Sequence, residues 1–232
     1  MKFKIFKFKS VTSTNDVALN LIQEEKKEIG CVCADKQTKG RGTHGRKWIS
    51  NKGNLFGSLF FPLKNNYPTF NEFSIINPVI LSGVIENYCE KKNISFKWPN
   101  DVLLNDKKVA GILLDTETTG NTAGVDWVIL GMGLNVGWHP EDTDYPATSL
   151  RFEQWPTTIE QALEAYTRSF LNWTNRWLDD GFQPIRKSWL WRCKGQGGQI
   201  KVRVGSDTIT GVFLDLDKNG SLMLDSGDKV LH

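Results

Sequence analysis

Apolar and polar residues alternate with different periods along the chain, and each change of period marks an element. From Lys2 to Lys9, Lys alternates with Phe or Ile, but Phe3 and Ile5 share one face while Phe6 and Phe8 share the other. A strand with a bulge, or one buried on both faces, fits this phase change. Helical spacing follows in Val17, Ala18, Leu21 and Ile22. Ser13 stands ahead of them at a capping position, and Asp16 sits where its charge suits the helix dipole. Lys26 and Lys27 suit the last turn and Gly30 the end.

Cys31 to Lys36 reads as a short strand and Asn54 to Phe61 as a second β segment rich in aromatic residues. Pro78 to Glu90 is predicted to be a helix, with Asn77 as cap and Pro78 in the first turn. Short strands follow at Phe96–Trp98, Val102–Leu104, Lys108–Thr116 and Val125–Val136, with a hairpin turn at Asn105-Asp106. Gly137 to Pro156 carries three prolines and reads as a loop. Thr158 to Leu178 is the clearest helix, with Ile159, Ala162, Leu163, Tyr166, Phe170, Trp173 and Trp177 at helical spacing and Gly181 at its end. A break is expected around Gln183 to Lys187. From Gly195 on, the pattern is short strands and turns: Ile200–Val204, Thr208–Leu214, Ser221–Leu224 and Val230, with a turn at Asp217–Gly220. Some 45 residues of this kind suit a small β-barrel docked on a larger unit. The expected fold is α+β: a mixed-sheet domain over residues 1–186, then a small barrel over 187–232.

Composition narrows the function. The 232 residues carry an ordinary apolar fraction and a net charge of +3, too small to argue for nucleic acid as the main partner. Cys31, Cys33, Cys89 and Cys193 lack metal or disulfide spacing and read as buried free thiols. His44, His139 and His232 lie far apart, so no histidine metal site is expected. Neither a signal peptide nor an apolar run long enough to span a membrane is visible. The expected location is the cytoplasm, away from membranes.

The chemistry concentrates in five stretches. Residues 39–48 read Lys-Gly-Arg-Gly-Thr-His-Gly-Arg-Lys-Trp. Glycine backbone N–H groups can form an anion cradle, Arg41 and Arg46 add cationic forks, and Trp48 offers a face for a base. A solvated basic surface loop explains the same residues equally well. Ser13-Thr14-Asn15 can bind a polar group at a helix start, although an ordinary cap is the simpler reading. Lys97-Trp-Pro-Asn-Asp101 breaks a strand and presents Asn100 and Asp101; a structural turn would not require the tryptophan. Along Lys108-Val-Ala-Gly-Ile-Leu113, strict alternation places Lys108 and Ala110 on one face and Val109 and Gly111 on the other, and Gly111 hints at a close approach. Gly131 and Gly133 also make room within a strand, with Asn135 at its end. They do not continue into a dinucleotide fingerprint.

Taken together and in this order, Gly40-Arg-Gly-Thr-His-Gly-Arg-Lys-Trp48, Lys97-Trp-Pro-Asn-Asp101, Lys108-Val-Ala-Gly-Ile-Leu113 and Ala147-Thr-Ser-Leu150 resemble the biotin–protein ligase family from about Ser13 onward. The resemblance implies a class II synthetase-like catalytic domain with an appended Src-homology-3-like barrel. It implies ATP and biotin as substrates, Mg²⁺ with the ATP, a biotinyl-5′-AMP intermediate and a biotin carboxyl carrier protein as acceptor. It assigns Lys108 and Arg41 to catalysis. Ser13, Thr14, Asn15, Gln37, Gly40, Arg41, Gly42, Thr43, Lys108, Gly111 and Gly133 fall to biotin. Arg41, Arg46, Trp48, Lys97, Asn100, Asp101, Gly131 and Asn135 fall to the nucleotide. No protein-built metal cage is implied. Thr43 departs from the family, whose members often carry a further arginine there, and a hydroxyl cannot replace a guanidinium fork. About a dozen residues precede Ser13, too few for a helix-turn-helix, so no DNA partner is expected. The expected assembly is a monomer or weak homodimer. Two rivals remain: a lipoate or octanoate ligase or transferase of related fold, opposed by the Trp-Pro-Asn-Asp stretch and the arginine-bearing loop, and a non-catalytic biotin or nucleotide sensor, opposed by Lys108 together with Arg41 and Arg46.

Overall fold

The computed structural model of the chain describes residues 3–24, 29–63, 69–87, 89–118, 127–143, 145–155, 157–204 and 207–231. The expectations for Lys26, Lys27, Val125, Pro156 and His232 lie outside these residues, as does the side chain of His44. Seven strands, β1 (Lys4–Phe8), β2 (Gly30–Ala34), β3 (Leu55–Pro62), β4 (Ile94–Lys97), β5 (Asp101–Leu104), β6 (Lys107–Glu117) and β7 (Trp127–Leu134), form one sheet in the order β1-β2-β3-β7-β6-β5-β4. The β1–β2 pair is parallel and the others antiparallel, so the sheet is mixed as expected. The phase change in β1 has its explanation at the sheet edge: Phe3 packs against Phe170 in one apolar cluster and Phe6 against Phe60 in another.

Helix α1 (Thr14–Gln23) covers one face through Ala18, Leu21 and Ile22 on Val32, Phe60 and Ile129. The opposite face carries the main core, where α2 (Phe70–Ile85) and α3 (Ile159–Asp180) pack on Leu55, Leu59 and Leu130. Two helix starts differ from the sequence reading. Ser13 occupies the capping position of α1, but its side chain makes no capping bond. Helix α2 begins at Phe70, eight residues before Pro78, because the Glu72 carboxylate accepts the backbone N–H of Thr69 at 2.6 Å and seals an earlier start. Pro78 therefore lies inside the helix, and Asn77 is no cap: its buried amide oxygen accepts from the Tyr166 hydroxyl at 2.7 Å. Gly30 does not end α1 either. It opens β2, where any side chain would strike the rings of Phe60 and Phe6.

The break expected near Gln183 is instead a short helix, α4 (Gln183–Arg192), entered after Gly181 at φ 74° with Pro184 in its first turn. The C-terminal strands β8 (Gln199–Val204), β9 (Asp207–Leu216), β10 (Leu222–Asp225) and β11 (Val230–Leu231) form an open antiparallel sheet in the order β11-β10-β9-β8. This corrects the expected barrel. The apolar face finds its cover on α4, where Trp189 lies between Phe96 and Phe213 with ring centroids 6.0 and 6.4 Å away. Arg186 fastens the joint by donating to the Leu216 carbonyl at 2.8 Å and pairing with Asp215. A two-residue β11 offers little with which to close a barrel. The four thiols are free, with Cys31, Cys33 and Cys89 buried. Among the described residues no helix is long and apolar enough to cross a membrane.

Candidate active site

The cleft opens on the α1 side of the sheet, where β6 and β7 supply its floor. Its position follows from an irregularity. Val102 of β5 pairs with Ala110, but Leu103 pairs with Lys108, so Val109 is an extra residue in β6. Such a bulge reverses the alternation of faces. Lys108 therefore comes to the same side as Gly111, while Val109 and Ala110 are both fully buried in the core. This corrects the alternating assignment of that strand. Without the bulge, the ammonium would point away from the cleft.

The polar seat is built from neutral groups. The Thr14 backbone N–H donates to Gln37 Oε1 at 2.8 Å, and Gln37 Nε2 donates to Ser50 Oγ at 2.9 Å. Ser58, fully buried in β3, places its hydroxyl 2.7 Å from Thr14 Oγ1 and 2.5 Å from Asn15 Oδ1. Asn15 Nδ2 donates to Asp115 at 2.8 Å. The chain of contacts continues to Arg41, whose guanidinium lies 3.4 Å from Asp115 and 2.6 Å from Asp16. Each of these side chains is held by its neighbour, so the seat is organised before any ligand arrives.

The cationic side centres on Lys108. Its ammonium is 2.6 Å from Asp101, and the side chain is only 12% exposed. Arg41, Arg46 and Lys47 reach the cleft from the glycine-rich segment, which folds into a hairpin. Gly42 N donates to the Arg46 carbonyl at 2.7 Å and Trp48 N to the Gly40 carbonyl at 2.9 Å. Gly45 turns at φ 71°, a conformation that favours glycine. The Trp48 indole lies flat on the sheet over Gly111 and Gly133, where added Cβ atoms would come within 2.8 and 2.5 Å of it. Its Nε1–H finds no hydrogen-bond partner among the described residues. A second chamber beyond Trp48 is bounded by Ile49, Asn135, Pro140 and Ala147.

Two family models match the chain over residues 7–135 and 81–191, each described as the biotin/lipoate A/B protein ligase family. The chain belongs to that family. It is 34% identical over 200 residues to the biotin–[acetyl-CoA-carboxylase] ligase of Paracoccus denitrificans, covering 83% of this chain and 82% of that one. It is 29% identical over 224 residues to the bifunctional ligase/repressor BirA of Escherichia coli (strain K12), covering 93% of this chain and 67% of the relative. A solved structure of biotin protein ligase from Aquifex aeolicus, in complex with biotin and ATP, superposes with a TM-score of 0.80 at 25% identity, covering 98% of this chain and 94% of the other. The chain is accordingly a ligase.

Of the residues singled out in the sequence, the ligase brings Ser13, Thr14, Asn15, Gln37, Arg41, Gly42, Thr43, Arg46, Trp48, Asn100, Asp101, Lys108, Gly111, Gly131 and Gly133 around this one cleft. Three stand apart. Gly40 is buried behind it, with any side chain blocked by Ser50 and the Trp48 carbonyl. Lys97 ends the edge strand β4 with its side chain in solvent. Asn135 lines the second chamber, and its amide is engaged by Asn54 at 3.3 Å and the Thr148 carbonyl at 3.0 Å. The Asp101 carboxylate serves Lys108, and Asn100 Nδ2 is donated to the Ile112 carbonyl at 2.6 Å. Gly131 makes room for Asn15, whose Oδ1 would lie 2.4 Å from an added Cβ.

Sequence reasoning missed Ser58, Asp115 and Tyr145. A polar residue amid Leu-Phe-Gly-Ser-Leu-Phe-Phe was a usable signal for Ser58, as was an acid ending the apolar run of β6 for Asp115. Nothing local pointed to Tyr145.

Proposed function

We propose that the cleft activates biotin with ATP to biotinyl-5′-AMP and passes the biotinyl group to one lysine of a biotin carboxyl carrier protein. One observation carries the reading: a seat of neutral donors and acceptors, Thr14, Asn15 and Gln37 backed by Ser58, shares a cleft with the fixed cations Arg41, Arg46 and Lys108. A ureido ring presents N–H donors and a carbonyl acceptor, and a dithiolane presents neither. The neutral polar seat thus supports biotin over lipoate, both of which the family description admits. The names of the Paracoccus relative and of the Aquifex complex agree with this choice.

In the first step a carboxylate oxygen of biotin attacks the α-phosphorus of ATP. The new acyl–phosphate bond forms as the bond to the β-bridging oxygen breaks, and pyrophosphate leaves with the bonding pair. Both reactants are anionic, and charge grows on the phosphoryl oxygens in the transition state. Lys108 and Arg41 stabilise that charge from fixed positions, an effect worth several kcal/mol in a water-poor site. Arg46 and the Trp48 ring serve the nucleotide. In the second step the neutral amine of the acceptor attacks the acyl carbon, an amide forms, AMP departs, and the amine proton passes to solvent. No side-chain nucleophile is needed. On this reading residues 1–186 hold the chemistry and 187–232 the appended unit.

Mg²⁺ is best accommodated by the nucleotide itself. Asp101 in the cleft, and Asp16 and Asp115 next to it, already pair with Lys108 or Arg41. Among the described residues no group of three or more His, Cys, Asp or Glu could hold a metal. The phosphates are therefore the donors that fit the ion, which when bound neutralises charge on the departing pyrophosphate.

Incubation with labelled biotin, ATP and a biotin carboxyl carrier domain tests the proposal. The label should enter the acceptor only with ATP present, fail to enter when the acceptor lysine is changed to arginine, and resist competition by lipoate. Incorporation of lipoate in preference to biotin would contradict the assignment.

A further inference from the structure

We infer that Tyr145 is a positioning residue for Lys108, holding the ammonium at the cleft through its ring face. The Lys108 Nζ lies 4.9 Å from the centroid of the Tyr145 ring and 5.2 Å from that of Trp48. Asp101 is the charged contact, at 2.6 Å. The tyrosine is not placed by chance. Lys108 N donates to the Pro146 carbonyl at 2.8 Å and Thr148 N donates to the Lys108 carbonyl at 2.9 Å, so the segment after Tyr145 runs alongside Lys108 as a short added strand. Beyond it, the Thr148 hydroxyl donates to Glu153 at 2.5 Å, and Glu153 also accepts from Asn105 at 2.6 Å. The backbone that carries the ring is thereby fastened to the residue the ring faces.

The chemistry gives this arrangement a purpose. A lysine side chain has four rotatable bonds, and its charge is drawn toward bulk water. A second carboxylate could restrain it but would repel two anionic substrates. An aromatic face attracts the ammonium through its quadrupole, adds no net charge and consumes none of the three N–H donors. Asp101 and two rings fix where Lys108 sits, while donors remain for incoming oxygens. Tyr145 lines both the cleft and the chamber beyond Trp48, so its ring stands at the boundary where the reacting groups would meet.

This rests on the adenylation reading of the cleft. The test is steady-state biotin-dependent ATP–pyrophosphate exchange by the full chain carrying Tyr145→Leu, Tyr145→Gln or Tyr145→Phe, each first shown to bind biotin with unchanged stoichiometry. The Leu and Gln variants should lose roughly tenfold in kcat, the size expected of one desolvated cation–ring contact, with KM for biotin and ATP nearly unchanged. The Phe variant, which keeps the ring face, should run at the wild-type rate. Full kcat in the Leu and Gln variants overturns the inference. So does a Phe variant as slow as Leu, which would assign the effect to the hydroxyl. A raised KM for ATP at constant kcat also overturns it, because the ring would then serve nucleotide binding. Absence of exchange in the wild type overturns the adenylation reading, and this inference with it.

Discussion

Arg41 is shared between Asp16 and Asp115 in the resting chain, and both contacts are half exposed to solvent. Such pairs are weak, so an arriving carboxylate or phosphate can compete for the guanidinium. The adjacent Thr43 adds a hydroxyl to the cleft where a second fork would bind an anion more firmly. Thr43→Arg should therefore slow release of biotinyl-AMP, measured by filtration of the preloaded chain; release as fast as from the wild type would contradict this. Much of the site was legible at this scale. Arg41, Trp48 and Lys108 stand in motifs whose residue types declare their chemistry, and all three meet in the cleft. Which way Lys108 faces was not legible, because one extra residue at Val109 reverses the pleat and nothing in the local sequence marks the bulge. The free thiols were readable from their spacing, and three of the four are buried as expected, whereas Cys193 is only partly so. Hydrogen bonding with Cys33 and then burial push Cys31 upward, and burial pushes Cys89 up to about 11. At neutral pH Cys31 and Cys89 should therefore resist alkylation by iodoacetamide in the folded chain, followed by mass spectrometry.

At the scale of elements, the floor formed by β6 and β7 does two jobs with its glycines. Gly111 and Gly133 seat the Trp48 indole, whereas Gly131 seats Asn15. The two substitutions should separate, in the sense opposite to the expected assignment of Gly133 to biotin and Gly131 to the nucleotide, because the indole rests on Gly133 and Asn15 on Gly131. Gly133→Ala should displace the indole and weaken ATP binding while biotin binding persists. Gly131→Ala meets both Asn15 Oδ1 and the Leu113 carbonyl, at 2.4 and 2.9 Å, and should weaken biotin binding itself. Calorimetric titration with each ligand reads both, and equal losses for both ligands in both variants would refute the division. Glycines in strands announced a close approach, but not what approaches: their occupants come from residues far away in the chain. The same limit explains α2 and α4. Pro78 satisfies the local rule for a helix start, yet Thr69 and Glu72 seal an earlier one. Helix α4 draws its support from Phe96 and Phe213, which sequence periodicity does not see.

At the scale of the molecule, the mixed sheet and its flanking helices follow from patterning that the chain displays openly, while the C-terminal strands do not close as their composition suggests. Their sheet is completed by Trp189 rather than by itself. Trp189→Ala should lower stability by about 3–5 kcal/mol, as expected for a fully buried aromatic; a loss near zero in denaturant unfolding would contradict the packing account. On the proposed reading, this cleft joins biotin to the α-phosphate of ATP with Lys108 at the reacting centre. Biotin-dependent ATP–pyrophosphate exchange measures that step alone, without any acceptor protein. The wild type should exchange only when biotin is present, and Lys108→Ala should lose roughly 100-fold or more while still binding biotin. No exchange by the wild type, or an undiminished rate in Lys108→Ala, would contradict the account.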